Sequence, residues 1–379
     1  MSFVIPAGIQ TVLFPWLIAI ELQLGAQELG LGQMALQVPA LLFILIGGFL
    51  ADRLDARKML ILLHLIAVVP PLCLALLIEN GLLSFAWMIV YALSMGVVTA
   101  FSQPARDKLL NAVAGNRIQR TVTIVMGLTF GAQIIGFGIA SSAESNGPEI
   151  LLVLMACVMV SGTYSSARLP PSPGNSSMGG SMSAAIFEGL RIVWYSEKMR
   201  ASAILLAAIS MFYGGTFLVL NPLMVRDLYQ GGSEEISLSF AMFMSGTVLT
   251  TIALVASGGV KNPGLALIIA VIAGGVMLAI ASLGLSFYGY LATIFVWGGC
   301  GGIAMSMGRT IMQELAPESH RARVMSVFSL ANVGSLTFGA AIMGFSAEFV
   351  GILNSFLVAV AGGLATTLYV ATCTRLAHV

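Results

Sequence analysis

Charge is scarce in this chain. Only 9% of its 379 residues are Asp, Glu, Lys or Arg, against about 25% in soluble globular domains. The net charge is +1, so there is no basic field for nucleic acid. Cysteine is rare too. Cys73, Cys157, Cys300 and Cys373 lie far apart inside apolar runs, which leaves neither a disulfide framework nor a metal-ligand spacing. There is no phosphate-binding glycine loop, so ATP is not the energy source. No histidine cluster, acid pair or nucleophile–base pair falls at a common depth, which argues against an enzyme. No cofactor and no metal are expected. The alternating pattern of an outer-membrane barrel is also missing.

Apolar length is abundant. Hydrophobic residues make up 58% of the chain and the mean hydropathy is +0.98. Apolar runs of about 20 residues, the length of a membrane-spanning helix, recur throughout. Twelve spans are expected: 2–21, 32–51, 58–79, 83–105, 120–142, 149–169, 200–224, 236–258, 263–284, 287–309, 322–346 and 350–374. The start, MSFVIPAGIQ, has neither a basic stretch nor a small-residue cleavage site and reads as the first span. Because that span begins almost at Met1, the true start of the protein is left open.

One orientation sorts the charges. With the N-terminus in the cytoplasm, 16 of the 17 Lys and Arg fall on the inner side and only Arg226 outside, as the positive-inside rule requires. The outer loops then hold Glu21, Glu28, Glu79, Glu144, Glu149, Asp227, Glu234, Glu235 and Glu348. The expected location is the cytoplasmic (inner) membrane, with both termini cytoplasmic.

The longest connection opens with the Pro/Gly/Ser stretch LPPSPGNSSMGGSMS at 169–183. In the segment after it, Ile186, Phe187, Leu190, Val193 and Trp194 share one helical face opposite Glu188, Arg191 and Lys198. That pattern predicts an amphipathic helix on the inner membrane surface. The expected organisation is an N-terminal six-helix bundle (1–170), a cytoplasmic linker (171–199) and a C-terminal six-helix bundle (200–379). Two inner loops repeat each other: Arg106 to Arg120 and Arg309 to Arg323 both span 14 residues. Such repeats characterise transporters with a substrate site near the membrane midplane.

Five charges crowd into the short stretch GGFLADRLDARK at 47–58. Gly48, Asp52, Arg53, Arg57 and Lys58 stand there in a pattern that resembles the signature loop of the major facilitator superfamily, with Asp55 at the usual Gly position and Ala56 at the usual first Arg. Pro104-Ala105-Arg106, and Arg309, Gln313, Glu314, Pro317 and Glu318, are similar to elements of the bacterial efflux branch that includes the enterobactin and macrolide exporters. The resemblance covers essentially the whole chain. It implies an all-α membrane fold of two pseudo-symmetric six-helix bundles. It also implies that the loop between spans 2 and 3 latches the halves together when the protein faces outward. Asp52 would sit at the inner end of span 2 with Arg323 as its partner. Arg53, Arg57 and Lys58 would pair with acids such as Asp107 or Glu314, and Arg106 and Arg309 would belong to the same gate. Gly48 suits a close helix approach. The simpler alternative is that these charges anchor the loop at the headgroups.

Intramembrane ionisable groups are the usual functional candidates, and the core of every span is expected to lack them. A neutral cavity follows, a poor fit for a small anion or a sugar phosphate. By the resemblance, spans 1, 4, 7 and 10 line that cavity. They offer Gln10 and Phe14; Tyr91, Ser94 and Met95; Tyr213, Phe217 and Asn221; and Trp297 and Met305. For each aromatic taken alone, packing or lipid contact is the commoner role; Asn221 and Gln10 serve either a ligand or interhelical hydrogen bonds. Gln103 and Gln133 fit interhelical bonding. The Gly298–Gly302 cluster would let span 10 bend or pack closely. Gly127, Gly131, Gly136 and Gly138 weakly resemble the antiporter motif, although Phe137 replaces its proline.

The expected function is a proton-coupled secondary exporter of a neutral or amphipathic small molecule, working by alternating access. The small-molecule substrate, protons and the bilayer are its expected partners, and a monomer its expected state. With no central acid, Asp52, Asp107, Glu21 or substrate-borne protons would have to carry the coupling. The alternatives are an uptake permease or lysophospholipid flippase on the same fold, and a non-transporting membrane scaffold or sensor.

Overall fold

A computed structural model describes residues 1–114, 118–169, 171–172, 182–257, 260–317, 320–374 and 376, without the side chains of 52, 111–114, 118–124, 126, 182–186 and 322. The described residues form helices and connections, with no strand. The helices are α1 (Val4–Glu21), α2 (Ala26–Arg53), α3 (Ala56–Glu79), α4 (Phe85–Ala114), α5 (Ile118–Ala140), α6 (Pro148–Ala167), α7 (Met182–Tyr195), α8 (Glu197–Asp227), α9 (Ser233–Ala256), α10 (Pro263–Ala281), α11 (Phe287–Leu315), α12 (Arg321–Val350) and α13 (Ile352–Cys373). Among the described residues eleven are long and apolar enough to cross a membrane, and α5 adds the apolar stretch Gly127–Ala140. Together they make the twelve expected spans, with α7 as the linker helix.

Local chemistry sets the boundaries. Pro148 and Pro263 open α6 and α10 at positions where the missing N–H has no helical partner to lose. Ser196 and Ser286 cap α8 and α11 by accepting from the N–H of Met199 and Gly289. Gly351, at φ +82°, turns α12 into α13 in a conformation that a side chain would strain.

The chain divides into two compact units. The first comprises Met1–Leu24, Ala35–Gly179 and Gly231–Leu238; the second comprises Gly25–Met34, Gly180–Gln230 and Ser239–Val379. In the first, α1 packs on α5 through a backbone-to-backbone approach. A β-carbon at Gly136 would stand 2.5 Å from the Ile5 carbonyl oxygen. The glycine of the motif-like stretch is thus a packing residue. In the second unit α9 meets α11 in the same way. A β-carbon at Gly298 would lie 2.7 Å from the carbonyl carbon of Phe243.

Among the described residues, the linker helix packs through a stripe that includes only one member of its expected apolar face, Val193. Val193 is buried with Met199, Met312, Val324 and Val327, and Gly189 sits against the Arg323 carbonyl. Glu188, expected on the polar face, turns into this contact, where it pairs with Arg323 and accepts from His320 Nε2 at 2.7 Å. Phe187, Leu190 and Trp194 remain exposed. The reason is steric: glycine at 189 lets the helix backbone settle on α12, so that stripe, not the most apolar one, docks.

Candidate functional site

The charged turn between α2 and α3 is held mostly by backbone groups of its own unit. Asp55 caps α3, its carboxylate accepting from the N–H of Arg57 at 2.9 Å and of Ser172 at 3.3 Å. An aspartate at the signature's glycine position therefore has a local purpose. Burial alone would raise its pKa, but the N–H groups of Ser172, Arg57 and Lys58, together with the Lys58 charge, outweigh it and hold the carboxyl below its ordinary value. Arg57 donates to the Ala167 carbonyl at 2.6 Å, and the Arg53 guanidinium lies 4.1 Å from the centre of the Phe49 ring. Lys108 donates to the carbonyls of Ala51 at 2.7 Å and Leu54 at 3.2 Å. An apolar cluster of Ala51, Ala56, Leu60, Ala105 and Leu109 supports the turn from beneath.

Two expectations change here. Gly47, not Gly48, makes the close approach: a β-carbon on it would stand 2.5 Å from the Ala100 carbonyl oxygen, whereas Gly48 has open space. Arg57 and Arg53 meet a carbonyl and a ring, where carboxylates were expected. The Asp52 side chain and Glu318 lie outside the described residues. Arg323, its expected partner, is ion-paired to Glu188. Arg309, Glu314 and Asp107 are exposed. Arg106 is half-buried, with its Nε lacking a hydrogen bond and its guanidinium 5.6 Å from the Phe3 ring.

One ionisable residue inside a span was overlooked. His64 lies two turns into α3 and is 2% exposed. Its Nδ1 is 2.8 Å from the Leu60 carbonyl, which can only accept, so Nδ1 carries the proton. The neutral Nε2 then accepts from the Ser2 hydroxyl at 2.8 Å. Both nitrogens are spent on packing partners, and the expectation of spans free of ionisable groups fails at this position.

The expected lining residues fall into two groups, one per unit. In the first unit the Tyr91 hydroxyl donates to Gln10 Oε1 at 3.3 Å, and Phe14 stacks on Tyr91 with centroids 6.1 Å apart. Ser94 returns its hydroxyl to Val90 within α4. In the second unit Tyr213, Phe217, Trp297 and Met305 line one cavity of about 290 Å³. Small-molecule pockets span about 300–1,000 Å³. The walls come from α8, α9, α10, α11 and α12, and among the described residues no Asp, Glu, Lys, Arg or His lines it.

The local form of α8 positions this wall. Ile209–Gly214 and Thr216–Leu220 are π-helical, a wide turn common at functional sites. Pro222 follows within a turn and has no N–H to continue a regular ladder. Phe217 meets Phe243 at 4.3 Å, and Phe243 meets Trp297 edge-on at 4.9 Å. The Tyr213 hydroxyl donates to the Val271 carbonyl at 3.2 Å.

Asn221 does not reach the cavity. It is fully buried, donates to Ser239 Oγ at 3.0 Å and accepts from Tyr290 Oη at 2.8 Å. It is the interhelical bond of its two readings. Two cavity residues were missed, Ser210 and Asn332, which bond to each other at 2.8 Å. Asn332 is a lone carboxamide in an apolar span, a signal available in the sequence but on a helix outside the four searched.

Among the described residues, eleven helices long and apolar enough to cross a membrane and the further apolar stretch Gly127–Ala140 mark a multi-pass membrane protein. Residues 1–333 match the Major Facilitator Superfamily, and the chain belongs to it; it is a transporter, not an enzyme. The chain is 24% identical over 353 residues to the multidrug efflux pump Tap of Mycolicibacterium fortuitum, covering 89% of this chain and 83% of that one. Its fold is like that of the nucleoside transporter NupG, with a TM-score of 0.73 at 15% identity over 98% of this chain and 97% of NupG. A point mutant of NupG gives 0.77 at 13% identity over 98% of both chains.

Proposed function

We propose that this transporter is a proton-coupled exporter of neutral or amphipathic small molecules in the cytoplasmic membrane, acting as a monomer with both termini in the cytoplasm. The observation that carries this reading is the second-unit cavity: four aromatic side chains and one thioether line it, and among the described residues no ionised group does. A molecule bound there is held by contact area and a few hydrogen bonds, which suits compounds that partition into membranes. The similarity to an efflux pump supports the outward direction. The likeness to NupG, at 13–15% identity, speaks for the fold alone.

Asp52 and Arg323 form the latch that closes the basic end in the outward-facing state. Arg323 is ion-paired to Glu188 in the arrangement described above. In inside-out vesicles, lipophilic dyes are expected to accumulate only under an imposed proton gradient. Asp52→Asn should lose that accumulation at wild-type membrane abundance. Full transport by Asp52→Asn would remove the latch; no accumulation of any compound by folded protein would overturn export.

A further inference from the structure

The second-unit cavity has a polar edge that narrows what it can hold. Four hydroxyl and amide side chains border it, and two are already committed. Tyr213 donates to Val271 O, and Thr247 donates to Gly298 O at 2.8 Å. What remains is clustered. Asn332 Nδ2 donates to Ser210 Oγ and lies 3.9 Å from Met305 Sδ, which leaves the Asn332 carbonyl oxygen as an acceptor and the Ser210 hydroxyl proton as a donor at the same edge. Facing this edge stands the aromatic group of Phe217, Phe243 and Trp297.

We propose that the cavity binds a neutral, planar aromatic molecule with a single hydrogen-bonding edge, the rings lying against Phe217, Phe243 and Trp297 and the edge meeting Asn332 and Ser210. This rests on the reading that the chain transports a small molecule, and adds its chemical class. An anion finds no cation in the walls, and a cation finds no carboxylate; burying either without a partner is strongly unfavourable. A nucleoside is excluded for a different reason. Its sugar hydroxyls and base edge need several partners on different sides at once, and the uncommitted polar groups of the walls gather at the single Asn332–Ser210 edge. Buried polar groups left unmade are costly. The volume of about 290 Å³ suits two or three fused or linked rings.

The test uses purified full-length protein in detergent and tritiated N-phenyl-1-naphthylamine, a neutral aromatic amine with one N–H. Its sulfonated relative 8-anilinonaphthalene-1-sulfonate keeps the rings and adds a charge. Saturable binding is expected that neither this anion, nor tetraphenylphosphonium, nor uridine displaces at hundredfold excess. Asn332→Leu should weaken binding about two- to tenfold, the range of one net hydrogen bond. Gly274→Leu should abolish it by filling the cavity, since a β-carbon there already meets Trp297 Cδ1 and Tyr213 Cε2 at 3.5 Å. If the leucine variant does not fold, the competition pattern on the wild type decides alone. Absence of saturable binding, equal displacement by the anion, the cation or uridine, or an unchanged Asn332→Leu overturns the proposal. Binding of this kind without vesicle transport would keep the site and sink the exporter; transport without it would keep the exporter and sink the site.

Discussion

Gly298→Ala puts the contact between α9 and α11 under direct strain. The new methyl carbon would lie 2.7 Å from the Phe243 carbonyl carbon and 2.9 Å from its Cα, and nearer still to the oxygen. These are backbone atoms that cannot swing aside. The helices must part by about 1 Å to recover a carbon–carbon contact of ~3.5–4.0 Å. Overpacking of this kind destabilises by about 1–3 kcal/mol, partly offset by the ~1 kcal/mol that alanine gains over glycine in a helix. The parting also pulls Phe243 from Trp297, now 4.9 Å apart, a pair worth about 0.5–1.5 kcal/mol beyond its area. Gly301→Ala is the internal control. Its methyl would meet only the tip of the Phe243 ring, at 3.4 Å, and should be neutral or slightly stabilising. Thermal unfolding of both variants in detergent, with binding of the naphthylamine probe, reads the two effects. Equal stability of the pair, or a larger loss for Gly301→Ala, would refute the close-approach reasoning.

Three further outcomes follow from named contacts. Tyr290→Phe leaves Asn221 Oδ1 buried without its donor and should destabilise by about 1 kcal/mol; probe binding should be unchanged, and its loss would return Asn221 to the ligand. Asp55→Ala should cost about 0.5–2 kcal/mol at neutral pH, the value of an N-cap. Because the folded pKa is depressed, that contribution is present above the unfolded value near 4 and is lost as pH falls through the folded one, so the gap between wild type and variant should narrow as pH drops below about 4 and close beneath the folded pKa; a gap that stays constant over that fall contradicts the carboxylate's part. Glu188→Gln removes a half-exposed ion pair and should alter global stability by less than about 1 kcal/mol while raising protease cleavage in the linker; unchanged cleavage would argue against its tethering part.

Span number was legible because it is a property of single segments. Hydropathic length marks a helix without knowledge of its neighbours, and among the described residues eleven long apolar helices and the shorter stretch Gly127–Ala140 stand where twelve runs were read. The second-unit cavity was legible in part for the same reason: Tyr213 and Phe217 share a face of one helix, and Trp297 follows from the helix the family resemblance pointed to. What stayed hidden depends on contacts between segments. Gly48 and Gly47 are indistinguishable until helix α4 is seen to pass one of them. Glu188 looked solvent-facing by periodicity, since nothing in its own helix reveals that Gly189 meets a backbone. Asn332 and Ser210 lie 122 residues apart, and their pairing is visible only once α8 and α12 are packed. His64 is visible in the sequence, but its packing part appears only once both of its nitrogens are seen to be occupied.

The central claim is that a neutral aromatic substrate moves through this protein in exchange for protons. The most direct measurement uses proteoliposomes that contain only the purified protein and a trapped pH dye, with an imposed pH gradient and no ATP. Addition of the naphthylamine probe is predicted to speed dissipation of the gradient in wild type and in neither Asp52→Asn nor Gly274→Leu. A gradient that decays at the same rate with and without the probe, in protein that binds it saturably, would contradict the account.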